Sequence, residues 1–405
     1  MTDITVKDAP EGLLNETAGL RINESSNHLR NYAVIEKHRL KILAGWFLRL
    51  RNFDHKYKLA YHLYDASEHV SWLLVRLKEM RGGNPNASVR PELKRFLDDA
   101  LNAQTDGEFL CGFYGVLTQA FLVAIKEDLQ RMDASGNANE WRILKRIQSN
   151  LETQVDWFNG LQLQLKNTAW TDALQKHLNH IGGIHGECEA SEPPMKASRA
   201  FFERPTTILF EKSITIGELE PYENRLKMDT QQATIEQFKV FFNEFYAAAL
   251  LASILFDASD NDYPWEFFAD FSRHFWDEAR HSEFGAIRLR ELGVEPDRVN
   301  PILFEESQSL PILHRVAYLT RGLEAYFMPR KPKRMKEYEE TGDLRSQLFA
   351  DQDWSDEINH VRYGSRWTDH LLEDDYRDVN DIIDEVKKHL SVVRGYEVTD
   401  INAPF

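Results

Sequence analysis

At 405 residues, with 42% hydrophobic and 12% aromatic side chains, the chain is long enough to build two cores and too apolar to remain disordered. Its 65 acidic and 49 basic residues leave a net charge of −16, which argues against the phosphate backbone of a nucleic acid or an anionic membrane as partner. The two cysteines, Cys111 and Cys188, suggest no disulfide framework. With no leader-like N-terminus and no uninterrupted run of about 18 apolar residues, they predict a soluble, cytoplasmic protein.

Residues 1–26 read as a flexible segment and 27–167 as a helical unit. Val34, Ile35, Leu40, Leu43, Phe47 and Leu50 recur at helical spacing. Helices are expected near 27–51, 55–81, 91–131 and 138–167, with turns at Asn52, Gly82-Gly83-Asn84-Pro85 and Ser135-Gly136-Asn137. From 168 to 230 the periodicity gives way to Gly, Pro and Thr, an irregular linker. It contains His177, His180, His185 and Cys188, whose spacing loosely suits zinc but lacks a second paired cluster. A second helical unit follows over 231–395, with helices near 234–257, 264–292, 308–328 and 343–373, a polar last helix near 376–394, and a tail over 396–405.

The second unit carries an ordered series of acids and histidines. Glu244 stands alone on its predicted helix, Glu278 and His281 form a Glu-x-x-His on the next, Glu324 stands alone on the third, and Glu357 with His360 repeats the Glu-x-x-His on the fourth. Residues i and i+3 project to the same face of a helix, so each pair can grip one ion while the lone glutamates bridge or cap. This is the ligand plan of dinuclear carboxylate sites in helix bundles. Four carboxylates balance two divalent ions; without them, four buried acids should not stay ionised together. The intervals repeat, with 34 residues from Glu244 to Glu278 and 33 from Glu324 to Glu357. Asp277 and Asp356 precede the two motif glutamates and are placed to accept the free ring N–H of the histidine on the opposite helix. The bland alternative for each residue alone is a solvated helix face or a satisfied core histidine.

The ligand order resembles the ferritin-like di-metal superfamily, and DEARH at 277–281 resembles the Asp-Glu-x-Arg-His motif of bacterial multicomponent monooxygenase hydroxylases; the second copy, DEINH, lacks the arginine. The run from DEARHSEFGAIRLRELG through LTRGLEAYFMPRKPKRM to DEINHVRYGSRW is closer to an uncharacterised bacterial ferritin-like family of unknown function. The resemblance covers roughly 235–373 and implies an all-α, ferritin-like four-helix bundle with metal chemistry, but no substrate.

The N-terminal unit can be laid over this bundle, with Glu36 at the place of Glu244 and His69 at that of His281. Ala66 then replaces Glu278, while Leu122 and Val155 fall near Glu324 and His360. The expectation is a degenerate, metal-free copy, a structural cover or dimer surface. Asp65 and His69 with Glu36 or Glu152 offer a weaker single-ion alternative. His274, four residues before Glu278, is either a third histidine ligand, similar to that of arylamine N-oxygenases, or a supporting core histidine. Arg321 and Thr320, beside Glu324, either support the site or face elsewhere, and Ala247, Ala248 and Ala249 either open a pocket or pack tightly.

Two iron ions are the expected cofactor, with manganese as the alternative. The expected function is an oxidase or oxygenase that uses O2 on a small organic substrate by N- or C-oxygenation, served by an electron-donor protein, with a homodimer compatible. The alternatives are a ferroxidase or metal-storage protein and a helical scaffold with a vestigial site.

Overall fold

The computed structural model describes residues 19–87, 89–161, 169–187, 200–373 and 375–389. The described chain is all-α apart from two parallel two-residue strands, β1 (Thr215–Ile216) and β2 (Arg298–Val299). It divides into two compact units: Met1–Ile42 with Asp65–Glu203, and Leu43–Tyr64 with Arg204–Phe405.

Two long helices open the chain, α1 (Ile22–Arg49) and α2 (Phe53–Glu79). α1 thus begins inside the segment expected to be flexible. The single helix expected over 91–131 is broken. α3 (Pro91–Leu101) stops before Thr105, which caps α4 (Asp106–Leu110) by accepting the Glu108 amide. A π-helical stretch, Cys111–Thr118, joins α4 to α5 (Gln119–Arg131), and α6 (Ala138–Gly160) follows. The stretch expected to be irregular contains α7 (Ala169–His180), which buries Trp170, Leu174 and Leu178.

In the second unit, α8 (Tyr222–Arg225) leads to α9 (Thr230–Asn243) and α10 (Phe245–Ala258), then α11 (Trp265–Glu291), α12 (Ile302–Ser307) and α13 (Ile312–Ala317). A second π-helical stretch, Tyr318–Glu324, continues into α14 (Ala325–Phe327), and a turn of tighter helix leads to α15 (Lys331–Thr341). Gly342 ends α15 in the left-handed conformation at φ +71°. Asp343 caps α16 (Leu344–Leu371) by accepting the Ser346 amide, and α17 (Val379–His389) is the last described helix. α12 and α15 fall where the sequence shows mainly proline and glycine punctuation.

α11 packs on α9, α10 and α16, and α16 packs on the second π-helical stretch, α13 and α15. Two glycines permit the closest approaches. A Cβ on Gly285 of α11 would stand 2.1 Å from the Phe242 amide nitrogen, and one on Gly364 of α16 would stand 2.0 Å from Thr320 Oγ1. Residues 43–64 belong to the same unit: Phe47 meets Phe275 edge-on with ring centroids 4.9 Å apart, and Tyr57 Oη lies 2.9 Å from Ser282 Oγ.

Two helical runs, Asp106–Arg131 and Thr230–Ala258, are long and apolar enough to cross a membrane by length and composition. The sequence reading missed them because neither is an uninterrupted apolar run. Of their most apolar windows, 72% and 78% are buried within the protein, the pattern of core helices.

Candidate metal centre

α11 carries His274, Glu278 and His281 at i, i+4 and i+7, one stripe of a helix. α16 carries Asp353, Glu357 and His360 at the same spacing, each 79 positions after its counterpart. All six are buried. The two lone glutamates come from helix irregularities. Glu244 sits between α9 and α10, where the Ala247 amide reaches back only three residues to its carbonyl at 2.9 Å, and Glu324 ends the π-helical stretch. Such local changes of helical pitch turn a side chain out of its regular register and recur at functional sites.

These side chains converge in two groups, of His274, Glu278, Glu324 and His360 and of Glu244, His281 and Asp353, and a third set, Glu278, His281 and Glu357, links them. In the first, His274 Nε2 lies 2.8 Å from Glu324 Oε1 and 3.7 Å from Glu278 Oε1, while His360 Nδ1 lies 3.2 Å from Glu278 Oε1 and 4.0 Å from Glu324 Oε1. In the second, His281 Nδ1 lies 3.4 Å from Glu244 Oε2, 3.6 Å from Asp353 Oδ1 and 3.9 Å from Glu278 Oε1. Glu278 therefore faces both groups, and Glu357 Oε2 approaches His360 Nδ1 at 3.9 Å. Donors bound to one ion at about 2.0–2.2 Å lie about 3–4 Å from each other, the spacing seen here.

Hydrogen bonding carries the same signature. His281 Nδ1, His360 Nδ1, Glu244 Oε2, Glu278 Oε1, Glu324 Oε2, Asp353 Oδ2 and Glu357 Oε2 are buried without a hydrogen-bond partner. Leaving so many buried polar atoms unpaired costs about 1–3 kcal/mol each, so the donor set fits a metal better than it fits its own neighbours. The opposite ring nitrogens are held: His281 Nε2 lies 3.2 Å from Asp356 Oδ2, and His360 Nε2 lies 3.4 Å from Asp277 Oδ2, each aspartate on the opposite helix. Arg280 bridges the two aspartates at 2.8 Å and 2.6 Å, and Arg273 spans them at 2.8 Å and 3.4 Å. Both guanidinium groups stack over Trp276.

Burial pushes the Glu244, Glu324 and Glu357 carboxyls up, whereas Glu278 is held well below its usual range because His274 and His360 outweigh its burial. Burial alone would depress the histidines. Asp356 and Glu244 instead hold His281 well above its ordinary value, and Asp277 and Glu278 hold His360 at about 10.

The structure brings together Glu244, Glu278, His281, Glu324, Glu357, His360 and His274, with Asp277 and Asp356 behind them. Sequence reasoning missed Asp353 and Lys331, whose Nζ lies 2.6 Å from Asp353 Oδ1 and 2.9 Å from Glu357 Oε1. The signal for Asp353 was present, since it repeats the position of His274. Arg321 donates to Ser365 Oγ at 2.5 Å, not to a site carboxylate, and Thr320 donates to Val316 O at 2.8 Å within its own helix. Ala247, Ala248 and Ala249 are buried.

In the first unit, Glu36 meets His69 Nδ1 at 2.7 Å and Arg39 Nε at 3.0 Å, all fully buried. Arg39 also donates to Thr118 Oγ1 at 2.8 Å and Gln154 Oε1 at 2.5 Å, and Gln154 in turn donates to Asp65 at 2.9 Å. A guanidinium fills the cluster. Glu152 lies outside it, paired with Lys126 at 2.8 Å. His177 pairs with Asp99 at 2.8 Å, while His185 joins His28 and Asp128, so the described histidines of the linker do not gather as a zinc site; Cys188 lies outside the described residues.

Residues 160–405 match the family described as protein of unknown function (DUF455). No curated protein and no solved structure matches the chain.

Proposed function

The chain belongs to the DUF455 family of proteins of unknown function, and we propose that it is a ferritin-like, dinuclear iron oxidoreductase that uses O2 to oxidise a small organic substrate. The observation that carries this reading is the gathering of Glu244, His274, Glu278, His281, Glu324, Asp353, Glu357 and His360 into overlapping buried donor groups, with one oxygen or nitrogen atom of each left without a hydrogen-bond partner. The order of ligand helices, Glu, Glu-x-x-His, Glu, Glu-x-x-His, supports it.

Bound iron would supply the electrons and Lewis acidity for reduction of O2. The chain supplies geometry. Asp277 and Asp356 accept from Nε2 of the opposite histidine, leaving each Nδ1 lone pair directed at the centre. Arg273 and Arg280 neutralise those two aspartates, so the pair orients the imidazoles without adding charge to the centre. His274, Glu324 and His360 crowd one group, while Glu244, with 18% of its side chain exposed, leaves the other the less covered side. An oxidant or substrate is expected to approach there.

The test is metal analysis of protein purified without added metal, followed by anaerobic reduction and titration with O2. About two iron ions per chain and a spin-coupled diferric signal after O2 are expected. A single zinc in a closed tetrahedral site would refute the reading, and iron accumulating far beyond two ions per chain would favour ferroxidase or storage chemistry.

A further inference from the structure

The two donor groups are not equivalent. Among the described residues, Glu278 and Glu324 form ion pairs only with histidines. Lys331, at the head of α15, reaches the other group and is 5% exposed, with its ammonium between Asp353 and Glu357. A buried ammonium is retained only where paired acids offset its desolvation, and here both acids are also donors facing the centre. Asp353 is the donor that the Glu-x-x-His plan does not require. Glu244, Glu278, Glu324, Asp353 and Glu357 amount to five negative charges, and two divalent ions neutralise four. Lys331 neutralises the fifth.

We propose that Lys331 is a tethered cation of the metal centre that makes its two halves load unequally. The first divalent ion goes to His274, Glu278, Glu324 and His360, and the second enters the Glu244, His281 and Asp353 group against the charge of Lys331. This rests on the dinuclear reading above and adds to it an order of loading. Coulomb repulsion between an ammonium and a dication sharing Asp353 weakens the second ion, whereas the Asp353 carboxylate draws it in. Substitutions at the two residues therefore act in opposite directions on one step.

The experiment titrates the metal-free full-length chain with Mn2+, counting the free aqueous ion by electron paramagnetic resonance, and follows thermal melting of the same samples. The wild type is expected to bind two ions in unequal steps. Lys331→Met should tighten the second step by about tenfold or more, and Asp353→Asn should weaken it by about tenfold or more, with the first step unchanged in both. Lys331→Met leaves the acids uncompensated without metal, so its melting temperature should rise more on Mn2+ addition than that of the wild type. Equal steps in the wild type would overturn the proposal, as would a Lys331→Met protein whose second step is unchanged or weakened. If Lys331→Met does not fold without metal, Asp353→Asn still decides, because weakening of both steps or of neither refutes unequal loading. If none of the three proteins binds Mn2+, the metal centre itself falls and the lysine's role with it; two ions bound identically by all three would remove only the role of Lys331.

Discussion

Gly364→Ala tests whether the close approach of α16 to the π-helical stretch holds the site in place. The added Cβ would stand 2.0 Å from Thr320 Oγ1, 2.2 Å from Thr320 Cβ and 2.9 Å from Thr320 Cγ2. Carbon atoms rest about 3.5–4.0 Å apart, so relief requires the two helices to separate by about 1.5 Å. Thr320 cannot swing clear, because its Cβ is fixed by the backbone. The expected cost is about 1–3 kcal/mol or more, and the displaced backbone carries Glu324 away from His360 and Glu357. Denaturant unfolding should therefore show lower stability, and metal analysis lower occupancy, in the same variant. Thr320→Ala should not rescue it, since Cβ remains; Thr320→Gly should, less the cost of about 1 kcal/mol for glycine in a helix. Full stability and full metal content in Gly364→Ala would refute the reasoning.

Glu278→Ala and His360→Ala should each lose at least one metal ion while circular dichroism stays largely helical, whereas Asp277→Ala and Asp356→Ala should weaken binding by about 10- to 100-fold. His69→Ala should leave the metal count unchanged, while His281→Ala lowers it. Arg39→Met should destabilise the protein by about 3–5 kcal/mol in chemical unfolding, because it leaves the fully buried Glu36 with His69 alone and removes the donor to Thr118 and Gln154. Burial and the neighbouring His28 lower His185 to about 4, so its contribution is present above its unfolded value of about 6.5 and is lost as pH falls from there through about 4. That loss amounts to about 3 kcal/mol, and His185→Leu should flatten stability over this window relative to wild type.

Much of the candidate centre was legible because the proposed metal ligation imposes spacing. The i, i+3 pairs Glu278 with His281 and Glu357 with His360 must share a helix face, so their chemistry is written in local sequence, and Asp277 and Asp356 follow from adjacency. His274 and Asp353 extend that same stripe by one turn. His274 stands out as a histidine, whereas an aspartate four residues before Glu357 looks like any surface acid until the repeat is applied to it. Lys331 left no such trace. It lies on α15, a short helix bounded by Pro329 and Gly342, and its partners are 22 and 26 residues away, a distance only tertiary packing can close. The irregularities at Glu244 and Glu324 were equally hidden, since a change of helical pitch depends on what the neighbouring helices require of the side chain and not on residue propensity.

Arg39 and Lys331 answer the same electrostatic problem in the two units. Each is a buried chain cation set among acids that would otherwise be uncompensated: Arg39 beside Glu36, Lys331 beside Asp353 and Glu357. What differs is the number of donors left over. In the first unit, Thr118, Gln154 and Asn150 bond to Arg39, Asp65 and His69, and the two buried atoms left without a hydrogen bond, Glu36 Oε2 and Arg39 Nε, face each other as an ion pair at 3.0 Å. In the second unit, after Lys331 has taken its two bonds, the Nδ1 atoms of His274, His281 and His360 and an oxygen on each of five carboxylates remain unpartnered. A planar guanidinium satisfies several acceptors at fixed angles, whereas an ammonium satisfies at most three and leaves a wider set of donors open. Substituting arginine at 331 should therefore move the second unit toward the first and, on the proposed dinuclear reading, lower the metal occupancy found by metal analysis.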